Sequence, residues 1–401
     1  MLIDITPLKK YRDFRLLFIG QLISYLGTMV SYMAVPYQIY QLTKSNALVG
    51  ALGLAQLGPV IIFGLLGGTY ADRINRRKLI LTCELIMASG IVLLLLNSLL
   101  PQPSVVAIFI LAATMQAVVG FHRPAMEALT QKMVEPSDYA AVGALNSFRS
   151  STGAIGGPML GGLLIAAFGL TGAYIFDALS FIGAIICVAL MTRVPNPGPS
   201  VHSPFADAAA GIKFALSKPE LIGTYLIDIA AMLFAFPVAL FPAMAEQWGG
   251  AHAAGILFSA IAIGSLIATL FSGWSSRVKH HGRVVVIAAM GWGVFIIGVG
   301  FARSLWAAVL FLVLAGAADM ISALFRSVIW SHSVPNAMRG RLSGIEMISY
   351  MIGPLLGNTR AGWVAAQSSV SFSLWSGGVL CVLAVIATSF LLPKFWAYRS
   401  D

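Results

Sequence analysis

The strongest constraint in this sequence is a series of apolar runs, each about as long as a bilayer is thick. A helix needs about 20 apolar residues to cross the hydrocarbon core, and about twelve such runs follow one another between charged or Pro/Gly-rich breaks. The runs are continuous rather than alternating, which favours helices over the strands of a barrel. We therefore predict an all-α integral membrane protein with twelve transmembrane helices, near residues 14–41, 47–71, 79–99, 105–127, 139–168, 172–192, 221–246, 251–275, 284–302, 305–329, 342–366 and 371–392.

Composition excludes a soluble enzyme. Only 10% of the residues are charged and 58% are hydrophobic, whereas soluble domains carry roughly 25% charged residues. Lys and Arg give the chain a net charge of +10 and concentrate in one set of alternate loops, while the opposite set holds only Lys44 and Arg303. By the positive-inside rule, both termini lie in the cytoplasm. The basic loops then face anionic lipid, so we expect no nucleic-acid partner.

A linker divides the predicted spans into two sets of six. Residues 193–204 contain four prolines, a composition typical of a linker. We predict an N-terminal six-helix half over 1–192, a cytoplasmic linker with a short surface helix over 193–218, and a C-terminal six-helix half over 219–401. Two similar six-span halves are the architecture of transporters that bind their ligand between the halves.

Two motifs resemble those of a known superfamily. The loop after the second span reads GTYADRINRRK from Gly68 to Lys78. It resembles the signature loop of the major facilitator superfamily, with Asn75 where that loop usually has Gly. The fifth span reads GAIGGPMLGG from Gly153 to Gly162, which is similar to the motif associated with antiporters of that superfamily. The phrase FRLLF near the amino terminus and the loop LPQPS resemble the branch of bacterial efflux proteins that contains the enterobactin exporter.

The resemblance implies a cytoplasmic latch in the loop after the second span. Asp72 would meet the positive pole of the helix that opens near 340–342, and the nearby arginines would pair with Glu127, Glu135 or Asp138. Such a latch holds the halves together on the cytoplasmic side and favours the outward-facing state. A positive loop that only orients the chain is the alternative. The latch residues are Gly68, Asp72, Arg73, Arg76 and Arg77.

The antiporter-type motif places glycines at intervals of four in the fifth span. This spacing removes side chains from one helix face and lets a neighbouring helix approach closely. The proline removes one backbone hydrogen bond and permits a bend. The motif therefore serves either rocking of the halves or close static packing. Its residues are Gly153, Gly157, Pro158, Gly161 and Gly162.

Three charged residues lie deep within predicted spans. At a rise of about 1.5 Å per residue, Arg149 is roughly 15 Å into the fifth span, Asp228 roughly 10 Å into the seventh, and Asp319 about two-thirds along the tenth. Such residues are costly in lipid and mark function by default. Charged residues nearer the cytoplasmic ends can snorkel to water. These are Glu84, Arg123, Glu127, Arg326 and Glu346.

Polar stripes at helical spacing follow three of the spans. In the superfamily that the chain resembles, the first, fourth, seventh and tenth spans line a central cavity. A polar stripe facing lipid would cost free energy, so we expect these stripes to face that cavity. Aromatic side chains beside few polar groups suggest a bulky, amphipathic substrate. The cavity or coupling candidates are Gln21, Tyr25, Thr28, Tyr32, Arg149, Tyr225, Asp228, Asp319 and Arg326.

Spacing along single helices suggests two side-chain contacts and a proton carrier. Arg123 and Glu127, four apart, can pair on one face. Arg326 lies two turns after Asp319, which favours a structural pair there. Asp228 has no basic residue within one turn of its own helix, so we rank it first as the proton carrier, with Asp319 second.

The sequence contains no recognisable site for a metal, a nucleophile or ATP. Its six histidines show no ligand spacing, its serines have no nearby base at a recognisable spacing, and it has no phosphate-binding Gly-Lys-Ser/Thr loop. We predict that the chain is not an enzyme, holds no metal and no cofactor, and uses a proton gradient as its driving force.

Together these features predict a secondary active transporter of the bacterial inner membrane. It would export a small amphipathic molecule, such as a siderophore or a drug-like compound, by alternating access with proton antiport. A proton-coupled uptake symporter is the alternative within transporters, and a non-transport membrane subunit is the alternative from another class. The expected partners are the small-molecule substrate, protons and the lipid bilayer, with the protein a monomer.

Overall fold

A computed structural model describes residues 4–192 and 204–399, without the side chains of residues 65–73, 204–209, 336, 337, 339–341, 343, 344 and 347. This part of the chain is helical and contains no strand. Its α-helices are α1 (Thr6–Lys10), α2 (Arg12–Thr43), α3 (Asn46–Arg73), α4 (Arg76–Ser98), α5 (Val105–Met133), α6 (Tyr139–Ala189), α7 (Pro204–Leu216), α8 (Pro219–Ala235), α9 (Phe241–Trp248), α10 (Ala251–Leu270), α11 (His281–Phe301), α12 (Leu305–Ser333), α13 (Asn336–Gln367), α14 (Val370–Leu391) and α15 (Pro393–Trp396).

Ten helical stretches in the described residues are long and apolar enough to cross a bilayer, so the chain is a multi-pass membrane protein. The predicted fifth and sixth spans both fall in α6, which is interrupted at Gly169 (φ 68°, ψ −174°). Glycine permits this break because a positive φ is costly for a residue that carries a Cβ. The predicted eleventh span falls in α13, which begins earlier, at Asn336.

The stretch that contains the predicted seventh span is interrupted near its middle. α8 ends at Ala235, and Phe236 is extended (φ −79°, ψ 118°). This is the geometry that a following proline favours, because the ring of Pro237 disfavours a helical conformation in the residue before it. A 3₁₀ turn over Val238–Leu240 then leads into α9.

The described helices form two compact units that depart from chain order. Of the described residues, the first unit holds 4–38, 58–192 and 204, and the second holds 39–57 and 205–399. The end of α2 and the start of α3 therefore pack with the second unit. Each of these helices contains a proline close to the residue at which the chain passes from one unit to the other, Pro36 in α2 and Pro59 in α3. Each proline removes a backbone hydrogen bond at that point.

The core of the first unit lies among α2, α4, α5 and α6. Leu17, Ile80, Leu129 and Val188 supply one side chain from each of these helices to a single apolar cluster, and none is more than 1% exposed. Lipid is as apolar as these side chains, so close packing rather than removal from water stabilises their contact.

Glycines of the antiporter-type motif line the contact between α6 and α2. A Cβ at Gly153 would overlap the ring of Tyr25, and a Cβ at Gly157 would overlap Met29. Gly161 faces the same helix one turn further on. The spacing of four therefore does what the sequence predicts, since it permits a neighbouring helix to approach closely.

Small residues also join the helices of the second unit. Gly264 of α10 and Gly316 of α12 each lie against the backbone of the facing helix, and the Ser265 hydroxyl donates to the Gly316 carbonyl oxygen at 3.1 Å. Gly293 of α11 and Gly378 of α14 face each other in the same manner. These contacts bring α10 close to α12 and α11 close to α14.

The start of α3 packs against α13 within the second unit. A Cβ at Gly50 would lie 3.0 Å from the Cα of Gly362, and the Thr359 hydroxyl donates to the Gly50 carbonyl oxygen at 3.1 Å. In the loop before α3, the ammonium group of Lys44 pairs with the carboxylate of Glu246. A close backbone contact and an ion pair thus hold residues 39–57 in this unit.

Large apolar side chains cover the outer faces of the helices. Phe168, Trp306 and Phe390 are 70%, 70% and 80% exposed. In water such exposure would cost free energy, whereas in a bilayer these rings contact acyl chains. Their positions fit helices that are surrounded by lipid.

We expect Gly157→Ala to lower the free energy of unfolding by about 1–3 kcal/mol, the usual cost of forcing extra volume into a packed contact. The added methyl would meet Met29 of α2. Gly156→Ala is the matched control, because its nearest neighbour would be Leu26 Cδ1 at an ordinary 3.5 Å. Thermal unfolding of both purified variants in detergent measures the difference, and equal stability of the two would contradict the close α2–α6 contact.

Candidate functional site

Two carboxylates and one guanidinium form a charged cluster in the second unit. Arg326 Nη1 on α12 lies 2.5 Å from Asp228 Oδ1 on α8, and Arg326 Nη2 lies 3.8 Å from Asp319 Oδ1. The side chain of Asp228 is 6% exposed and that of Asp319 is 31% exposed. Tyr225, one turn before Asp228, is half-buried. With all three groups ionised the cluster carries a net charge of −1, so one bound proton would neutralise it.

The pair of Asp319 and Arg326 that the sequence predicts is present, with 3.8 Å between the charged atoms, but Arg326 lies closer to Asp228, which the sequence does not predict. Spacing along α12 puts Asp319 and Arg326 on one face, but α8 packs against α12 and brings Asp228 closer. A contact between two helices is invisible to spacing along one of them. Asp228 is therefore the tightly paired carboxylate, and Asp319 is the looser one.

The polar stripe of α2 divides between two environments. Gln21 is buried, and its amide donates to Glu84 Oε1 at 2.6 Å. Tyr25 and Thr28 are half-buried, and Tyr32 is 46% exposed. Exposure thus rises along the stripe. Tyr25, Thr28 and Tyr32 are accessible to a ligand, whereas Gln21 is engaged within the first unit.

Arg149 on α6 has no acidic partner among the described side chains. Its Nε is buried without a hydrogen bond, and the groups that act on its charge are Tyr25 and Arg123. Tyr25 packs on Gly153, one turn after Arg149. An arginine in an apolar segment needs an acid, an anionic ligand or water beside it. Since the described contacts of Arg149 include no acid, an anionic ligand or water remains.

A buried acid–histidine pair lies in the first unit, where the sequence predicts none. Glu84 on α4 is 0% exposed, and its Oε1 lies 2.9 Å from His122 Nε2 on α5. The expectation that Glu84 snorkels to water is wrong. α4 and α5 are adjacent along the chain and pack together. Glu84 and His122 lie at similar distances from the turn that connects these two helices, and this is the signal by which the sequence could have indicated their contact. No three His, Cys, Asp or Glu residues in the described part of the chain form a group that could hold a metal ion.

Two further charged residues bind polar groups of neighbouring helices. Asp177 on α6 is fully buried and accepts hydrogen bonds from the hydroxyls of Ser31 on α2 and Ser180. Arg360 Nη1 on α13 donates to the Phe234 carbonyl oxygen at 2.9 Å, near the end of α8, where a cation offsets the negative pole of the helix. Sequence spacing predicts none of these partners, because each comes from tertiary packing or from a carbonyl or hydroxyl group.

The predicted latch lies partly outside the described residues. Gly68, Asp72 and Arg73 are among the residues whose side chains are not described, as are those near 340 that Asp72 would meet. Arg76 begins α4. Asn75, which stands where the superfamily usually has Gly, is the N-cap of α4, and its side chain accepts from a backbone N–H of the first turn at 3.1 Å.

Arg77 does not bind the acids that the sequence predicts for it. Its Nε donates to the Val188 carbonyl oxygen at 3.0 Å, and its Nη2 donates to the Ala189 carbonyl oxygen at 2.6 Å. These carbonyls lie at the C-terminal end of α6, where the helix dipole favours a cation. Arg77 therefore ties α4 to the end of α6 rather than to a carboxylate.

The predicted acidic partners of the latch are engaged elsewhere. Lys10 lies 2.7 Å from Glu135 and 3.2 Å from Asp138, and the hydrogen bond to Glu135 raises the pKa of Lys10 above its usual range. Glu127 pairs with Arg123, with 3.3 Å between Nε and Oε1, as their spacing predicts. Lys10 is the cation that the sequence reasoning overlooked.

The sequence matches known exporters over nearly its whole length. A family described as transmembrane secretion effector matches residues 4–400. The enterobactin exporter EntS of Shigella boydii serotype 4 (strain Sb227) is 30% identical over 96% of this chain and 94% of its own length. That of Shigella flexneri is 31% identical over the same shares.

Solved transporter structures share the fold at low sequence identity. The nucleoside transporter NupG has a TM-score of 0.70 at 16% identity, covering 96% of this chain and 98% of its own. A bacterial homologue of the human lysosomal transporter Spinster, in an inward-facing and unoccupied conformation, has a TM-score of 0.73 at 16% identity and covers 97% and 98%. The POT family transporter PepTSo has 0.75 at 14% identity and covers 96% and 98%. At these identities the likeness concerns the fold alone.

We expect Arg326→Gln to destabilise the protein by about 3–5 kcal/mol, the usual cost of leaving a buried charge without its partner. Asp319→Asn should cost far less, because its contact with Arg326 is longer and its side chain is more exposed. Thermal unfolding of the purified variants measures both. Adding Asp228→Asn to Arg326→Gln should recover part of the loss, and a parent-like stability of Arg326→Gln alone would contradict the ion pair.

Proposed function

Because this chain belongs to the transmembrane secretion effector family of the major facilitator superfamily, we propose that it exports a small amphipathic molecule in exchange for protons. The family consists of membrane transporters, so the chain is a transporter and not an enzyme. The 30% identity to an enterobactin exporter, which extends over 96% of the chain, supports export over uptake and a siderophore-like substrate. The observation that carries proton exchange is the cluster of two carboxylates around Arg326.

The proposed architecture has twelve spans in two six-helix halves, with both termini in the cytoplasm of a bacterial cell. The interruption of α6 at Gly169 supports counting two spans there, and α13 is long enough for one more. α5 and α12 support the repeat, since each begins after a serine, Ser104 or Ser304, whose side chain accepts a backbone N–H of the first turn. The proposed latch uses Asp72 and Arg73 on the cytoplasmic side, where the superfamily has it.

Proton exchange follows from the charge balance of the cluster. The Asp228–Arg326 pair is neutral and tightly held, so the remaining carboxylate, Asp319, determines the net charge. A protonated Asp319 leaves a neutral cluster, which is stable in apolar surroundings. An ionised Asp319 needs water beside it or part of the positive charge of Arg326. We therefore place Asp319 before Asp228 as the proton carrier, reversing the order that the sequence suggests.

Substrate contacts are proposed for Arg149 and for the accessible part of the α2 stripe. Tyr25, Thr28 and Tyr32 offer rings and hydroxyls to an amphipathic molecule. Arg149 offers the free hydrogen-bonding capacity of a planar guanidinium. An acidic group on the substrate would supply the counter-ion that Arg149 lacks among the described side chains.

The test of coupling uses inverted membrane vesicles in which export appears as accumulation of enterobactin inside. Asp319→Asn, which mimics a permanently protonated site, should lower proton-driven accumulation by at least about tenfold, the occupancy change that one pH unit produces. Downhill exchange of enterobactin should persist, since the substrate contacts are intact. Asp319→Glu is the matched control, because it keeps a titratable carboxyl and should retain part of the driven transport. If Asp319→Asn accumulates enterobactin under a proton gradient as fully as the parent does, Asp228 becomes the first candidate for the proton carrier.

Arg149→Ala should raise the KM for enterobactin accumulation roughly tenfold or more, as expected when a charge-assisted hydrogen bond worth about 1.5–3 kcal/mol is lost. Arg149→Lys should also be impaired, because a point charge does not replace a planar fork. Arg123→Ala is the control, since Arg123 already pairs with Glu127. A KM unchanged by Arg149→Ala would remove this residue from substrate binding.

A further inference from the structure

Glu84 is enclosed by hydrogen-bond donors from two neighbouring helices. Its Oε1 accepts a hydrogen bond from Gln21 Nε2 of α2 at 2.6 Å and lies 2.9 Å from His122 Nε2 of α5. Its Oε2 lies 3.4 Å from the Ser24 hydroxyl of α2. The Glu84 side chain is 0% exposed and that of His122 is 14% exposed. The carboxylate is thus sealed within the first unit, and the imidazole provides its contact with the surroundings.

One shared proton makes this pair electrically neutral. The proton can sit on the imidazole beside an ionised carboxylate, or on the carboxyl beside a neutral imidazole. Removing it leaves a buried anion that the Gln21 amide and the Ser24 hydroxyl stabilise, whereas a second proton leaves a cation without a charged acceptor, which is costly in apolar surroundings. Histidine is the side chain whose charge ordinarily changes between about pH 5 and 8. The pair therefore suits binding and release of one proton.

The other groups around the carboxylate strengthen this reading. On α4 its neighbour Cys83 is buried, and on α6 Asp177 is a second buried acid. The facing groups on α2, Gln21 and Ser24, carry no charge. Among the described side chains, His122 is thus the basic group in contact with the carboxylate.

We propose that Glu84 and His122 form a proton-binding site in the first unit, and that its protonation state controls the hold of α4 on α2. An ionised carboxylate binds Gln21 and Ser24 through charge-assisted hydrogen bonds, which are roughly twice as strong as neutral ones. Protonation of Glu84 weakens both bonds at once. α2 also carries Tyr25, which packs on the antiporter-type motif, so the site acts on the same helix that the proposed substrate contacts occupy. The part played in transport rests on the proposed function, whereas the proton site itself does not.

A test independent of transport records infrared difference spectra of the purified protein in liposomes between pH 8 and pH 5, a range set by histidine titration at about pH 5–8. Acidification should produce the C=O band of a buried carboxylic acid together with changes of a ring-labelled histidine. Glu84→Gln should remove one component of the carboxylic-acid band while those of other acids, such as Asp319, remain, and His122→Gln should move that component to a different pH. Glu127→Gln is the matched control, because it removes an acid of α5 that is 66% exposed, and it should leave the buried band in place. Identical spectra of the parent and Glu84→Gln would overturn the proposal.

Transport provides the second readout. The rate of enterobactin accumulation in inverted vesicles, measured across the same pH range, should show an altered pH profile in Glu84→Gln and His122→Gln and fall by about tenfold at its optimum, the occupancy change of one pH unit. Glu127→Gln should keep the parent profile. If Glu84→Gln does not fold, His122→Gln carries the test, since glutamine can still donate to the carboxylate. Parent-like pH profiles in folded variants would reduce the pair to a structural contact and overturn the role in coupling. A parent that does not transport enterobactin would count against the proposed substrate, and the infrared result would still decide the proton site.

Discussion

Polar side chains inside apolar helices must find their partners within the protein, because hydrocarbon offers none. In several cases the partner comes from another helix, so satisfying the side chain also fixes which helices touch. Arg326 joins α12 to α8, Arg360 joins α13 to α8, and Asp177 joins α6 to α2. Where no polar pair exists, glycines allow the backbones to meet instead. The fold is thus specified by a small number of polar contacts set among many interchangeable apolar ones.

Charge balance then distinguishes the compensated side chains from those proposed to bind a proton or the substrate. Arg360 is compensated by helix carbonyls and Asp177 by hydroxyls, and both are enclosed by their partners. The Arg326 cluster has one carboxylate more than its cation can neutralise, and Arg149 lacks an acid among the described side chains. An excess of one sign within a bilayer is stable only if something mobile supplies the opposite sign. A proton suits the first case and an anionic group suits the second.

The helices could be predicted from the sequence, but their contacts could not. Span length is a property of consecutive residues, and so is the Arg123–Glu127 pair, which the structure confirms. The position of Asp228 beside Arg326 depends on how α8 packs against α12, and that of His122 beside Glu84 depends on the packing of α4 and α5. Single-helix spacing carries no such information. Motif resemblance also identified the glycine face of α6 correctly, yet it did not show that Arg77 binds carbonyls rather than carboxylates.

The hairpin of residues 39–57 has a consequence for how the polypeptide can be divided. It is covalently part of the N-terminal half of the sequence, yet it supplies Gly50 to the backbone of α13 and Lys44 to Glu246 in the second unit. A C-terminal fragment produced alone would expose the surface that this hairpin covers, as happens when a swapped element is withheld from its partner. Two fragments cut at the proline-rich linker would therefore have to assemble by complementation, and neither would be a self-sufficient folding module.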